Sequence, residues 1–189
     1  MALHPELEAF LDLADDSAAG GSVPFHESTA QQARALFEQT TQQLAWAAPQ
    51  DIDWQDIDAQ GRDGRPLPLR LYLPRGHAPG TLPLMVYFHG GGYVVGSIDS
   101  HDGVCREFCS RTPCAVVSVE YRRAPEHKFP TALHDCADAL AWLHEQAPRL
   151  GLDRQRVIFA GASVGASLAT TLAPQAVHHS PDVAIRPRV

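Results

Sequence analysis

The sequence predicts an α/β fold built on a mostly parallel sheet, and three observations carry that expectation. Leu84-Met85-Val86-Tyr87-Phe88 is a continuous apolar run, the texture of a strand covered on both faces. Two more short apolar strands, at 115–119 and 157–160, alternate with stretches of helical periodicity. Ahead of them Leu67, Leu69, Leu71 and Leu73 alternate as in a half-buried antiparallel strand. At 189 residues the chain is long enough for one domain with a hydrophobic core and too short for two.

Residues 1–50 read as a helical, cap-like segment. Leu3, Leu7, Phe10, Leu11 and Leu13 fall near helical spacing, and a Gly/Ser-rich break follows over 15–24. A second helix is expected over 28–46, opened by Ser28, with Ala33, Leu36, Phe37, Thr40 and Leu44 on one face. The core is expected over 51–173. It begins with a strand around Ile52, Trp54 and Ile57, and a turn at Arg62-Asp63-Gly64-Arg65. Helices are predicted over 100–112, opened by Asp99 or Ser100, and over 130–150, carrying Leu133, Ala137, Leu140, Ala141 and Leu143. A third helix begins at Ser163 and is expected to stop at Pro174, leaving 174–189 as an irregular tail.

The bulk chemistry excludes several classes. A net charge of −7, from 22 acidic against 15 basic side chains, argues against a nucleic-acid partner, which needs a basic face. No apolar run reaches the ~18–20 residues of a membrane span, and residues 1–6 do not open a secretory signal, so a cytoplasmic location is expected. Cys105, Cys109, Cys114 and Cys136 lack zinc-ligand spacing and read as buried thiols. Neither a metal nor a cofactor is expected.

Three motifs carry chemistry. Gly161-Ala162-Ser163-Val164-Gly165 lies between a strand and a helix, the setting in which G-x-S-x-G forms a nucleophile elbow with Ser163 at its tip. Gly161 and Gly165 suit the tight turn, where a Cβ would strike the neighbouring strand and helix. His89-Gly90-Gly91-Gly92 follows the strand 84–88. It could be a flexible loop or a phosphate cradle, but no lysine follows Gly96, and an oxyanion loop fits best. The third motif, 120–127 (Glu-Tyr-Arg-Arg-Ala-Pro-Glu-His), reads as a loop pinned by ion pairs from Arg122.

Together with Gly-Ser-Ile-Asp-Ser-His-Asp at 96–102, these motifs resemble, in order and spacing from about 83 to 173, the hormone-sensitive-lipase-like (bacterial family IV) esterases. The resemblance implies an α/β-hydrolase fold and a small-molecule ester as substrate. It implies that Ser163 attacks the acyl carbonyl and that the backbone N–H groups of Gly91, Gly92 and Val164 hold the oxyanion. His89 and Gly90 would support the loop. Ala162 and Val164 depart from the acidic residue and alanine common in the family, and Arg123 stands where an apolar residue is usual.

A serine nucleophile needs a histidine base oriented by a carboxylate, and in this fold both follow it in the chain. Beyond Ser163 the sequence offers only Asp182, His178 and His179. The chain therefore reads as a truncated or frameshifted esterase of little or no turnover, its exposed sheet edge inviting self-association. The alternative is a non-catalytic ligand-binding or scaffold protein on a degenerate hydrolase fold.

Overall fold

The computed structural model describes residues 3–9, 11–12, 27–77 and 82–179. Five strands, β1 (Ile52–Gln60), β2 (Pro66–Pro74), β3 (Leu82–Phe88), β4 (Ala115–Val119) and β5 (Leu152–Gly161), form one sheet in the order β1-β2-β4-β3-β5. The β1–β2 and β2–β4 pairs are antiparallel, whereas β3 runs parallel to both β4 and β5. Among the described residues the sheet is accompanied by α1 (Ala30–Gln43), α2 (Asp102–Arg111), α3 (Thr131–Gln146) and α4 (Val164–His179), besides helical turns at 5–9 and 11–12.

The period of two along β3 explains the layering. Leu84, Val86 and Phe88 face one way, into a core shared with Leu69, Leu71, Val117 and Val119, Cys136 and Leu143 of α3, and Leu168 and Leu172 of α4. Met85 and Tyr87 face the other way, joining Tyr72, Val116 and the thiols Cys105, Cys109 and Cys114 around α2. A strand buried by helices on both sides has no polar face to keep, hence its unbroken apolar run. All four cysteines are free and buried.

Several expected boundaries shift for local reasons. Thr29, not Ser28, caps α1: its hydroxyl accepts from Gln32 N at 3.3 Å while Gln32 Oε1 accepts from Thr29 N at 2.9 Å. Of the face expected on α1, Ala33 is buried but Thr40 and Leu44 are exposed. Leu3, Leu7 and Leu11 are exposed as well, while Phe10 and Leu13 lie outside the described residues. Helix α2 starts at Asp102 because the Ser100 hydroxyl is engaged with Ser97. The innermost line of α3 is Ala132, Cys136, Ala139 and Leu143, with Leu133, Ala137 and Leu140 flanking it. Small residues let that helix approach the sheet closely.

Two corrections concern the end of the chain. Residues 157–160, expected to be a buried strand, belong to the longer β5, which pairs only with β3 among the described residues. Lying at the border of the sheet, it leaves Ile158 41% exposed. Helix α4 runs past Pro174 to His179. Proline removes a single N–H from the ladder, and the remaining carbonyl–amide pairs carry the helix on.

Candidate active site

The elbow is formed where β5 meets α4. Ser163 sits between them at φ 53°, in the left-handed region that an L-residue enters at a cost of ~1–2 kcal/mol. Its neighbours dictate that conformation. A Cβ on Gly161 would lie 2.4 Å from Gly165 C, and one on Gly165 would lie 2.0 Å from Phe88 O. The helix thus starts directly against the carboxyl end of β3, and Ser163 is left exposed. Because φ is positive, the usual ranking of small residues reverses there. Ser163→Gly is expected to melt as the more stable variant by ~1 kcal/mol relative to Ser163→Ala. Equal urea midpoints for the two would show that the strain is absent.

The same contact brings the glycine loop to the serine. Ala162 N donates to Phe88 O at 3.3 Å, and a Cβ on Gly90 would come within 3.0 Å of Ala162 O. Gly91, Gly92 and Tyr93 follow with φ of 119°, 59° and 63°, three successive positive values that swing the backbone around. The carbonyl of Gly91 accepts from Val94 and Val95 at 3.0 and 2.9 Å and closes the turn. Among the described residues the amides of Gly91 and Gly92 donate to no protein acceptor. Val164, the first residue of α4, also has no helical carbonyl one turn behind it.

His89 is fully buried beneath this loop. Its ring stacks on Tyr121 at 4.1 Å, its Nδ1 lies 2.8 Å from Gly90 O, and its own carbonyl accepts from Tyr121 Oη at 2.8 Å. Burial pulls its pKa down to about 3, so the ring stays neutral. The unfolded chain then binds a proton that the folded chain refuses, and stability falls as pH falls below ~6.5. We expect a loss of ~1.4 kcal/mol per pH unit between ~6 and ~3 from this ring. Glu120, raised chiefly by burial, works in the opposite sense. Urea midpoints at pH 7, 6 and 5 test this, with His89→Asn flattening the slope; identical midpoints at pH 7 and 5 contradict it.

Arg122 donates to Asp135 and, at 2.7 Å, to Asp63, as the sequence led us to expect for the loop after β4. Arg123, the departure from the family pattern, pairs with Glu120 at 3.0 Å and donates to Gly96 O. Glu120 in turn accepts from Ile98 N at 2.7 Å, so Arg123 helps to bind the loop over 96–98. Sequence reasoning gave no part to Arg34 and Glu38 of α1. Arg34 donates to Val94 O at 2.7 Å and pairs with Glu126 at 2.6 Å, while Glu38 accepts from Ser97 Oγ at 2.7 Å. Their signal was present, since they are the only charged residues in an otherwise Gln- and Ala-rich helix.

Among the described residues no side chain hydrogen-bonds the Ser163 hydroxyl. Helix α4 carries the backbone of His178 and His179 ~20 Å along its axis from the serine, at ~1.5 Å per residue. Asp182 lies outside the described residues.

A serine at a strand–helix elbow, packed against a glycine loop on the parallel part of a mixed sheet, defines an α/β hydrolase. The family model for the alpha/beta hydrolase fold matches residues 85–186, and the chain belongs to that family. Among curated relatives, the ethyl acetate hydrolase of Pseudomonas putida is 44% identical over 177 residues, covering 93% of this chain and 56% of that protein. The chain thus spans about half the length of the relatives it matches. An ester-hydrolase from the metagenome of Lake Arreo superimposes with a TM-score of 0.87 at 30% identity, covering 95% of this chain and 56% of the other. A hyperthermophilic esterase from Pyrobaculum calidifontis gives 0.83 at 35% identity, with coverage of 97% and 56%. Among the described residues no helix is long and apolar enough to cross a membrane.

Proposed function

We propose that this chain carries the acyl-accepting half of a carboxylic ester hydrolase, with Ser163 as the nucleophile. The observation that carries the reading is an exposed, strained serine whose neighbour Ala162 packs against Gly90, at the start of a glycine loop in which the Gly91 and Gly92 amides have no protein acceptor among the described residues. Ser163 Oγ adds to the ester carbonyl, and the resulting oxyanion accepts from the N–H groups of Gly91, Gly92 and Val164. Each such donor contributes ~3–4 kcal/mol to the transition state in comparable sites. Collapse expels the alcohol and leaves an acyl-serine, which water later cleaves to the carboxylic acid. A small acyl group suits the reading, because a relative at 44% identity is named for ethyl acetate.

Fast proton transfer from Ser163 needs an imidazole, and none reaches it from the described residues, which leaves water as the acceptor of that proton and makes acylation slow. For this chain by itself we therefore expect acylation with turnover far below that of a complete triad. A fluorophosphonate, which loses fluoride as its phosphorus bonds a serine oxygen, reports the first step by a mass increase on the Ser163 peptide. Hydrolysis of an acetyl or butyryl nitrophenyl ester reports the second. Labelling that persists in Ser163→Ala, or saturable ester binding with neither labelling nor hydrolysis, sinks the proposal and favours a non-catalytic ligand-binding protein.

The border position of β5 supports a further expectation, self-association through that edge. Size-exclusion chromatography is expected to give a species larger than 20.5 kDa, and a well-behaved monomer refutes this.

A further inference from the structure

We propose that His101, in its neutral form with the proton on Nδ1, is a positioning residue that sets the oxyanion loop through the peptide of Gly90. The inference rests on the esterase reading only for the word oxyanion; the geometry stands by itself. His101 Nε2 accepts the N–H of Gly90 at 3.3 Å, and its Nδ1 lies 3.0 Å from Ser100 Oγ. That hydroxyl gives its own proton to Ser97 O at 3.1 Å, so the hydrogen between it and His101 must sit on Nδ1. Nε2 then carries the lone pair that Gly90 needs.

The consequence follows from peptide planarity. The unit joining His89 to Gly90 is held at both ends, its carbonyl by Tyr121 Oη at 2.8 Å and its N–H by His101. The next unit has its carbonyl, Gly90 O, fixed by His89 Nδ1 at 2.8 Å. In a trans peptide the N–H points opposite to the C=O, so fixing Gly90 O aims the Gly91 N–H. Two consecutive planes are thus set by two imidazoles, and the second hands its orientation to the Gly91 amide, which has no protein acceptor among the described residues. The sequence stretch 96–102 supplies one of those imidazoles.

The His101 ring is itself wedged. Phe37 of α1 stacks on it at 6.3 Å, while Tyr87 and His89 lie at 6.0 and 5.7 Å. Glu38 reaches the same turn from α1 through Ser97. Helix α1 therefore bears on the loop through this histidine. Adding a proton to Nε2 would set two donors, His101 Nε2–H and Gly90 N–H, against each other. The groups facing His101 are Glu38 from α1, Tyr87 and His89 from β3 and its exit, and Ser97 and Ser100 from its own turn; the Asp102 carboxylate is taken up by Arg70, Tyr72 and Arg106. Burial is the largest influence and holds the ring below the ordinary histidine range.

Nitrogen-15 spectra of the full chain read the tautomer directly. A pyrrole-type Nδ1 and a pyridine-type Nε2 are expected for His101 at neutral pH; the reverse assignment overturns the proposal. In His101→Leu the Gly90, Gly91 and Gly92 amide resonances are expected to move, and in His101→Gln, whose side-chain oxygen can accept near the position of Nε2, to move back towards the wild type. Unchanged glycine resonances in a folded His101→Leu also overturn it. Fluorophosphonate labelling of Ser163 should slow at least tenfold in His101→Leu and recover in part in His101→Gln. If wild-type Ser163 does not react at all, the esterase reading fails, and the tautomer and the glycine resonances decide the role of His101 without it.

Discussion

Replacing Gly165 with alanine is expected to cost the fold more than ~3 kcal/mol, beyond the usual ~1–3 kcal/mol of an overpacked site. The added Cβ would lie 2.0 Å from Phe88 O, 2.6 Å from His89 O and 2.7 Å from Phe88 C. All three are main-chain atoms at the end of a buried strand, so no rotamer change makes room. Either α4 lifts from β3, or β3 leaves its register with β4 and β5. Both separate Ser163 from Gly91 and Gly92, and fluorophosphonate labelling should fall together with the urea midpoint. Gly92→Ala is the internal control. Nothing lies within 4 Å of its Cβ and φ is +59°, so only the ~1–2 kcal/mol of left-handed strain is expected. Similar midpoints for the two variants would contradict the close approach of α4 to β3.

Arg122→Leu is expected to cost ~3–5 kcal/mol, the range for stripping one partner from a buried ion pair. Asp135 has only 2% of its side chain exposed. It accepts from Arg122 N at 2.9 Å, Nε at 2.9 Å and Nη2 at 2.6 Å. Without the guanidinium the carboxylate keeps a single backbone donor inside α3. The double variant Arg122→Leu, Asp135→Leu removes the stranded charge too, and should recover much of the loss. A double-mutant cycle in urea measures this; an Arg122→Leu cost below ~1 kcal/mol would mark the pair as an ordinary surface bridge.

The two variants probe parts of the molecule that differ in how plainly the sequence shows them. Gly90, Gly91, Gly161 and Gly165 are visible because a turn that admits no Cβ tolerates few residue types, and Gly92 and Ser163 because they complete the motifs those glycines frame. The apolar run of β3 and the alternation of β2 are visible because burial on two faces or on one imposes its own period. Arg122 was visible as an ion-pairing residue, but its partner was not. Asp135 is thirteen positions away on another element, and only the docking of α3 brings it in.

What the sequence determined by itself is therefore the local chemistry: an elbow at Ser163, a glycine loop after β3, and strands alternating with helices. These follow from steric and periodic rules that act within a few residues. Only the tertiary structure decided the rest. It put β5 at the border of the sheet with Ile158 half open, carried α4 past Pro174, and laid Arg34, Phe37 and Glu38 of α1 on the loop they brace. It also set His101 against the amide of Gly90. Those outcomes depend on which surfaces meet after chain segments ten to ninety residues apart have packed, and no short-range pattern in the sequence encodes that meeting.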